Sequence, residues 1–127
     1  MGGTWTVSTE IGFCASHCLA GHQGVCANVH GHNWIVRVHY LFESIDRISG
    51  IGVDFLELRA GLERVVLPRF DHRHLNEVSP FDKVAPTSEN LAAEIFRLCS
   101  EELRYEGGRL VEVEVRETPA DRVCYRG

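Results

Sequence analysis

The chain has 127 residues, of which 44% are hydrophobic and 24% charged, and its formal net charge is −5. This composition suits one folded domain over residues 1–127, large enough to bury a real core, and argues against intrinsic disorder. The acidic balance argues against a nucleic-acid surface, which needs a basic face, and no apolar run approaches the ~20 residues of a membrane span.

The N-terminus lacks the basic and apolar regions of a secretory signal. Met1-Gly2 with Thr6 fits the loose myristoylation pattern, but strand-like sequence begins by Thr4 and leaves almost no arm to reach a membrane. The cysteines are Cys14, Cys18, Cys26, Cys99 and Cys124. An odd number without a signal reads as reduced thiols in a cytosolic protein.

Residues 4–18 (TWTVSTEIGFCASHC) read as a strand, and 19–29, with Gly21, Gly24 and Asn28, as a loop. Residues 31–43 alternate, with Trp34, Val36, Val38 and Tyr40 on one face of a second strand. A polar turn follows at 44–50, then a short extended piece from Ile51 to Val53. Asp54 stands where an N-cap belongs, ahead of Phe55, Leu58, Leu62, Val65 and Val66 at helical spacing. Pro68 marks the expected end of that helix. Residues 71–86 read as irregular. A second helix is expected from Thr87 or Ser88, with Leu91, Ile95, Leu98 and Leu103 on one face and Gly107-Gly108 stopping it. Strands over 109–117 and 122–126, joined by a turn at 119–121, complete the order ββ, helix, helix, ββ. The class expected is α+β, an antiparallel sheet covered on one face by two helices.

His30 and His32 form H-G-H at the mouth of a strand. Residues i and i+2 of a strand point to the same face, roughly 6–7 Å apart, so two imidazoles can converge on one ion. His17 ends the preceding strand, which antiparallel pairing brings alongside. Three neutral histidines leave zinc one open position, the arrangement of a catalytic rather than a structural site. Cys26, four residues before His30, could close that position as a fourth ligand or stand free as a base, with its thiol pKa lowered by the nearby ion. Cys14 and Cys18 lie at odd steps from His17, on the opposite face of a regular strand, and read as core thiols.

Residues 71–76 are D-H-R-H-L-N. A carboxylate beside an imidazole can orient a general acid or base, or form a solvated turn that caps a helix. Glu117-Thr118 ends a strand, where an exposed glutamate is ordinary.

Several stretches recur in order: F-C-A-S-H at 13–17, C-A-N-V-H-G-H-N at 26–33, V-D-F at 53–55, D-H-R-H-L-N at 71–76, P-T-S-E-N-L-A at 86–92, and E-T followed by C-Y-R-G at 124–127. In this set the chain resembles the 6-pyruvoyltetrahydropterin synthase / 6-carboxytetrahydropterin synthase family. The resemblance implies a tunnelling fold (T-fold), in which ββααββ subunits join their sheets into a barrel. It implies zinc on His17, His30 and His32, with Cys26 as catalytic base and Asp71 and His72 as relay partners. Glu117, with Thr118 beside it, would anchor a pterin ring by accepting two parallel N–H donors.

The implied substrate is 7,8-dihydroneopterin triphosphate in a cytoplasmic homohexamer of two stacked trimers. Three residues (Ala27, Asn28, Val29) separate Cys26 from H-G-H. That spacing points to the carboxy-forming branch of queuosine synthesis rather than the pyruvoyl-forming branch of biopterin synthesis. Trp34 stands where the family more often carries Tyr or Phe. The alternatives are the pyruvoyl-forming lyase and a non-catalytic zinc-stabilised module closed by Cys26.

Overall fold

The computed structural model describes residues 2–21, 24 and 27–127. Cys26, the expected base, lies outside the described residues. Strand β1 (Trp5–His17) pairs antiparallel with β2 (His30–Phe42) without a register break, from Trp5↔Phe42 to His17↔His30. Alternation decides the faces. Ile11, Phe13, Ala15 and His17 of β1, with Trp34, Val36, Val38, Tyr40 and Phe42 of β2, turn to one side and are buried. Helix α1 (Phe55–Phe70) and helix α2 (Ser88–Glu102) cover that side with Leu58, Leu62, Val65, Val66, Leu91, Ile95 and Leu98. Strands β4 (Gly108–Arg116) and β5 (Arg122–Arg126) extend the sheet beyond β2.

Asp54 caps α1 as expected, its carboxylate accepting from the backbone N–H groups of Leu56 and Glu57. Thr87 caps α2 by accepting from Asn90 N–H. Phe55 does not join the core. It lies one turn ahead of Leu58, at the helix start, and is 62% exposed.

Three boundaries differ from the sequence expectation. Helix α1 runs through Pro68 to Phe70. A proline this late removes only one hydrogen bond of the last turn, and Phe70 is buried against Phe13 and Phe81, with centroids 6.2 and 6.0 Å away. Helix α2 ends at Glu102, well before Gly107. Buried Leu103 closes it with a backbone bond to Cys99 O, and its own carbonyl accepts from the Tyr40 hydroxyl at 3.0 Å. The two glycines serve the entry to β4 instead. Gly107 has φ +77, and a Cβ on Gly108 would come within 2.5 Å of the buried Phe42 ring.

The third difference is a short strand in the segment expected to be irregular. β3 (Arg73–His74) pairs parallel with β1 through Ala15↔Arg73 and Ser16↔His74. The sheet therefore has five strands in the order β3-β1-β2-β4-β5. His72, at φ +57, turns the chain out of α1 and into this pairing.

Cys14 is exposed and Cys18 half-buried, so neither is a core thiol. Cys14 does lie opposite His17's face, but the helices cover only one face of the sheet, and Cys14 is on the bare one. Its thiol meets Asn33 Oδ1 at 3.0 Å. Among the described residues Cys99 is the buried cysteine, and desolvation pushes its thiol up to about 12. No helix among the described residues is long and apolar enough to cross a membrane.

The contact of Gly108 with Phe42 generates a test of packing. Gly108→Ala should lose about 1–3 kcal/mol of stability as the ring is forced aside. Urea unfolding followed by tryptophan fluorescence measures it, and a variant as stable as the parent would contradict the contact.

Candidate metal centre and active site

His17 is the last residue of β1 and His30 the first of β2, and the register sets them opposite each other. His32 follows two residues on, on the same face. The three side chains offer nitrogens that all lie within 4.8 Å of one another. Their ring centroids are 4.5, 5.2 and 4.9 Å apart. Trp34 packs edge-on beneath His17 and His32 at 5.1 and 5.3 Å, and its indole N–H donates to Ala15 O. The cluster thus sits on the helix-covered face, at the end of the core.

Backbone carbonyls set two of the tautomers. His17 Nδ1 is 2.7 Å from Pro86 O, and His30 Nδ1 is 2.7 Å from Asn28 O. A carbonyl can only accept, so each Nδ1 carries the proton and each Nε2 presents a lone pair. Burial is the first cause holding His32 below its ordinary pKa; the neighbouring His17 and His30 rings add to it and Glu117 opposes it. His17 Nε2 and His32 Nε2 are buried without a hydrogen-bond partner among the described residues. Unpartnered buried nitrogens are costly. Converging neutral imidazoles fit a divalent ion of nitrogen preference, zinc above all.

Glu117, just past β4, brings Oε1 to 3.4 Å from His17 Nε2 and 3.7 Å from His32 Nε2. Ser88 Oγ donates to the same oxygen at 3.5 Å. Glu117 and Thr118 line a cavity of about 470 Å³ with Gly31, His32, Asn33, Ile35, Arg116 and Pro119. The Thr118 hydroxyl is already engaged, donating to Asp121 Oδ2 at 2.8 Å and accepting from the Ala120 and Asp121 amides.

Asp71 and His72 are 3.0 Å apart at Oδ1 and Nδ1. Asp71 also accepts from Cys14 N–H at 3.0 Å, and His72 N–H donates to Cys14 O at 2.6 Å. The Cys14 amide first, and His72 second, hold the Asp71 carboxyl below the usual range. Ser16 with His74 and Cys18 with Asn76 continue this stitching of residues 71–76 along β1. The doublet therefore caps α1 and follows the strand end, and its own bonds go to Cys14 rather than to the histidine cluster. His72 and His32 do both line one cavity of about 450 Å³.

A sequence reading assigns no role to Pro86 or Ser88 and keeps Glu117 apart from the histidines. The only trace of the first two is the P-T-S-E-N-L-A stretch in the family resemblance. Position 117 follows the last β2–β4 pair, Ile35↔Arg116, and that register is invisible before folding.

The model of the family described as "6-pyruvoyl tetrahydropterin synthase" matches residues 6–127. The chain belongs to this family. It is 36% identical over 124 residues to the 6-carboxy-5,6,7,8-tetrahydropterin synthase of a Synechocystis species, covering 95% of this chain and 92% of the relative. It is 32% identical over 136 residues to human 6-pyruvoyl tetrahydrobiopterin synthase, covering 95% and 90%. Its fold superposes on Caenorhabditis elegans 6-pyruvoyl tetrahydropterin synthase with a TM-score of 0.88 at 28% identity, covering 99% of this chain and 97% of that one. The fold is the T-fold, in the α+β class that the segregated strands and helices implied.

The converging nitrogens predict that His30→Ala and His32→Ala each abolish zinc binding while leaving the fold intact, because the described residues offer the site no fourth imidazole. Elemental analysis of the purified variants checks this, and full zinc content in His32→Ala would exclude the site.

Proposed function

We propose that this chain is a zinc-dependent lyase acting on 7,8-dihydroneopterin triphosphate and water, releasing triphosphate and acetaldehyde and forming 6-carboxy-5,6,7,8-tetrahydropterin. The observation that carries the reading is the set of three converging imidazoles, two of them with Nδ1 held by a backbone carbonyl so that Nε2 faces the cluster. The family's pterin chemistry supports the substrate class. Three residues between Cys26 and H-G-H, and the Synechocystis relative, support the carboxy-forming branch and with it a place in queuosine synthesis.

A zinc ion on His17, His30 and His32 would supply Lewis-acid charge for the hydroxyl oxygens of the substrate side chain. The protein's residues do the rest. Cys26 removes a carbon-bound proton as general base, a role worth typically 10²–10⁴-fold. Asp71 fixes the His72 ring, which relays protons at the substrate's other face. Glu117 lines the cavity of about 470 Å³, and its carboxylate would accept from the ring N–H groups of a pterin. Thr118 lines that cavity beside it and supports Glu117 through its turn with Asp121.

The pyruvoyl-forming reaction is the second reading, favoured by the 0.88 TM-score to the nematode synthase. Mass spectrometry of products from 7,8-dihydroneopterin triphosphate separates the two. The carboxy product with acetaldehyde is expected; a pyruvoyl product without acetaldehyde would transfer the chain to the other branch. No turnover with zinc fully bound would favour the third reading, a zinc-stabilised module.

We also propose a cytoplasmic homohexamer of two stacked trimers. Within the chain β3 pairs with β1 only at Ala15 and Ser16, and β5 is a five-residue edge strand. Open edges recruit further strands, and the T-fold closes them by joining copies. Active sites would then combine Cys26 and zinc from one subunit with Asp71 and His72 from another. Cys26→Ala and His72→Ala should each retain zinc and lose turnover. Refolding the two together should restore part of the activity, because some interfaces unite an intact Cys26 with an intact His72. Mixed oligomers as inactive as either parent would mean that each site is built within one chain.

A further inference from the structure

The contact between Glu117 and the histidines is unusual in its chemistry. His17 donates its Nδ1–H to Pro86 O, so in the neutral ring its Nε2 is a lone pair. That lone pair faces a carboxylate oxygen 3.4 Å away, and neither His17 Nε2 nor His32 Nε2 makes a hydrogen bond among the described residues. Two acceptors held this close, one of them fully buried, repel each other unless a proton or a metal cation lies between them.

The separations suit a metal. Bonds of about 2.0–2.1 Å to a tetrahedral zinc place its donor atoms about 3.3–3.4 Å apart. Glu117 Oε1 stands 3.4 Å from His17 Nε2 and 3.7 Å from His32 Nε2. It therefore lies near the spacing of a fellow ligand to both. Ser88 Oγ reaches the same oxygen from the start of α2 and steers it. Glu117 and His32 both line the cavity of about 470 Å³.

We propose that Glu117 is a fourth donor to the metal held by His17, His30 and His32, closing its coordination until a ligand with vicinal hydroxyls enters the cavity and takes its place. This rests on the reading that the three histidines hold zinc. The displaced carboxylate becomes free to accept from the ring of the same ligand, so ring recognition and opening of the metal are one exchange.

The test uses the full chain loaded with zinc or cobalt(II), comparing the parent with Glu117→Gln and Glu117→Ala. Circular dichroism establishes that each variant is folded, and the near-isosteric Gln variant guards against a packing loss in Ala. Competition with a chelating dye should show zinc bound at least about tenfold more weakly in both variants, the scale on which changes around a metal site act. The visible cobalt bands should shift in both. In the parent, neopterin should move the cobalt bands, whereas a pterin lacking the hydroxylated side chain should not. Affinity within threefold of the parent, cobalt bands unchanged by either substitution, or parent bands indifferent to neopterin would each overturn the proposal. His32→Ala separates the two levels. Metal retained there removes the three-histidine reading itself, whereas metal lost there with unaltered Glu117 variants removes only the fourth donor.

Discussion

The uninterrupted pairing of β1 with β2 is the constraint on which the rest of the molecule depends. Thirteen residues pair with thirteen, from Trp5↔Phe42 to His17↔His30. A slip of one residue would exchange the faces of a whole strand. Trp34, Val36, Val38 and Tyr40 would leave the core, and His30 and His32 would leave His17. The same apolar alternation that stabilises the sheet therefore aims the three imidazoles at one point. Core formation and site formation are one event, and the site needs no separate scaffold.

The site lies where the sheet's hydrophobic face runs out. Trp34 is the last large apolar side chain of β2 before the histidines, and its ring edges support His17 and His32. Beyond it, imidazoles replace aliphatic groups at the same alternating positions. Pro86 and Ser88, at the entry to α2, reach the cluster from the covering layer, one through a carbonyl on His17 and the other through a hydroxyl on Glu117. The carbonyl sets the direction of a lone pair, which is the property that decides whether a histidine can ligate.

The segment 71–76 shows the opposite balance, with local chemistry serving the strand end first. Asp71 closes α1 and takes the Cys14 amide, His72 adopts φ +57 to reverse the chain, and Asn76 holds Cys18 by both its amide atoms. These bonds leave the His72 side chain 79% exposed on the bare side of the sheet. In the proposed oligomer, a group so exposed on one chain would be available to another.

The sequence alone determined the strand faces, the Asp54 N-cap and the H-G-H pair, because each is written in a local period or a short-range bond. Alternation in 31–43 named the buried residues of β2, Asp54 marked where the first helix begins, and Thr87 or Ser88 the second. Tertiary structure decided what depends on contacts between distant residues. Phe70 in the core carries α1 through Pro68, and the Tyr40 hydroxyl and buried Leu103 end α2 before its glycines. The helices leave one sheet face bare and so expose Cys14. The β2–β4 register sets Glu117 beside two histidines eighty-five and more positions away. No local pattern carries these facts, since each arises from side chains that meet only after the sheet and its covering layer have closed.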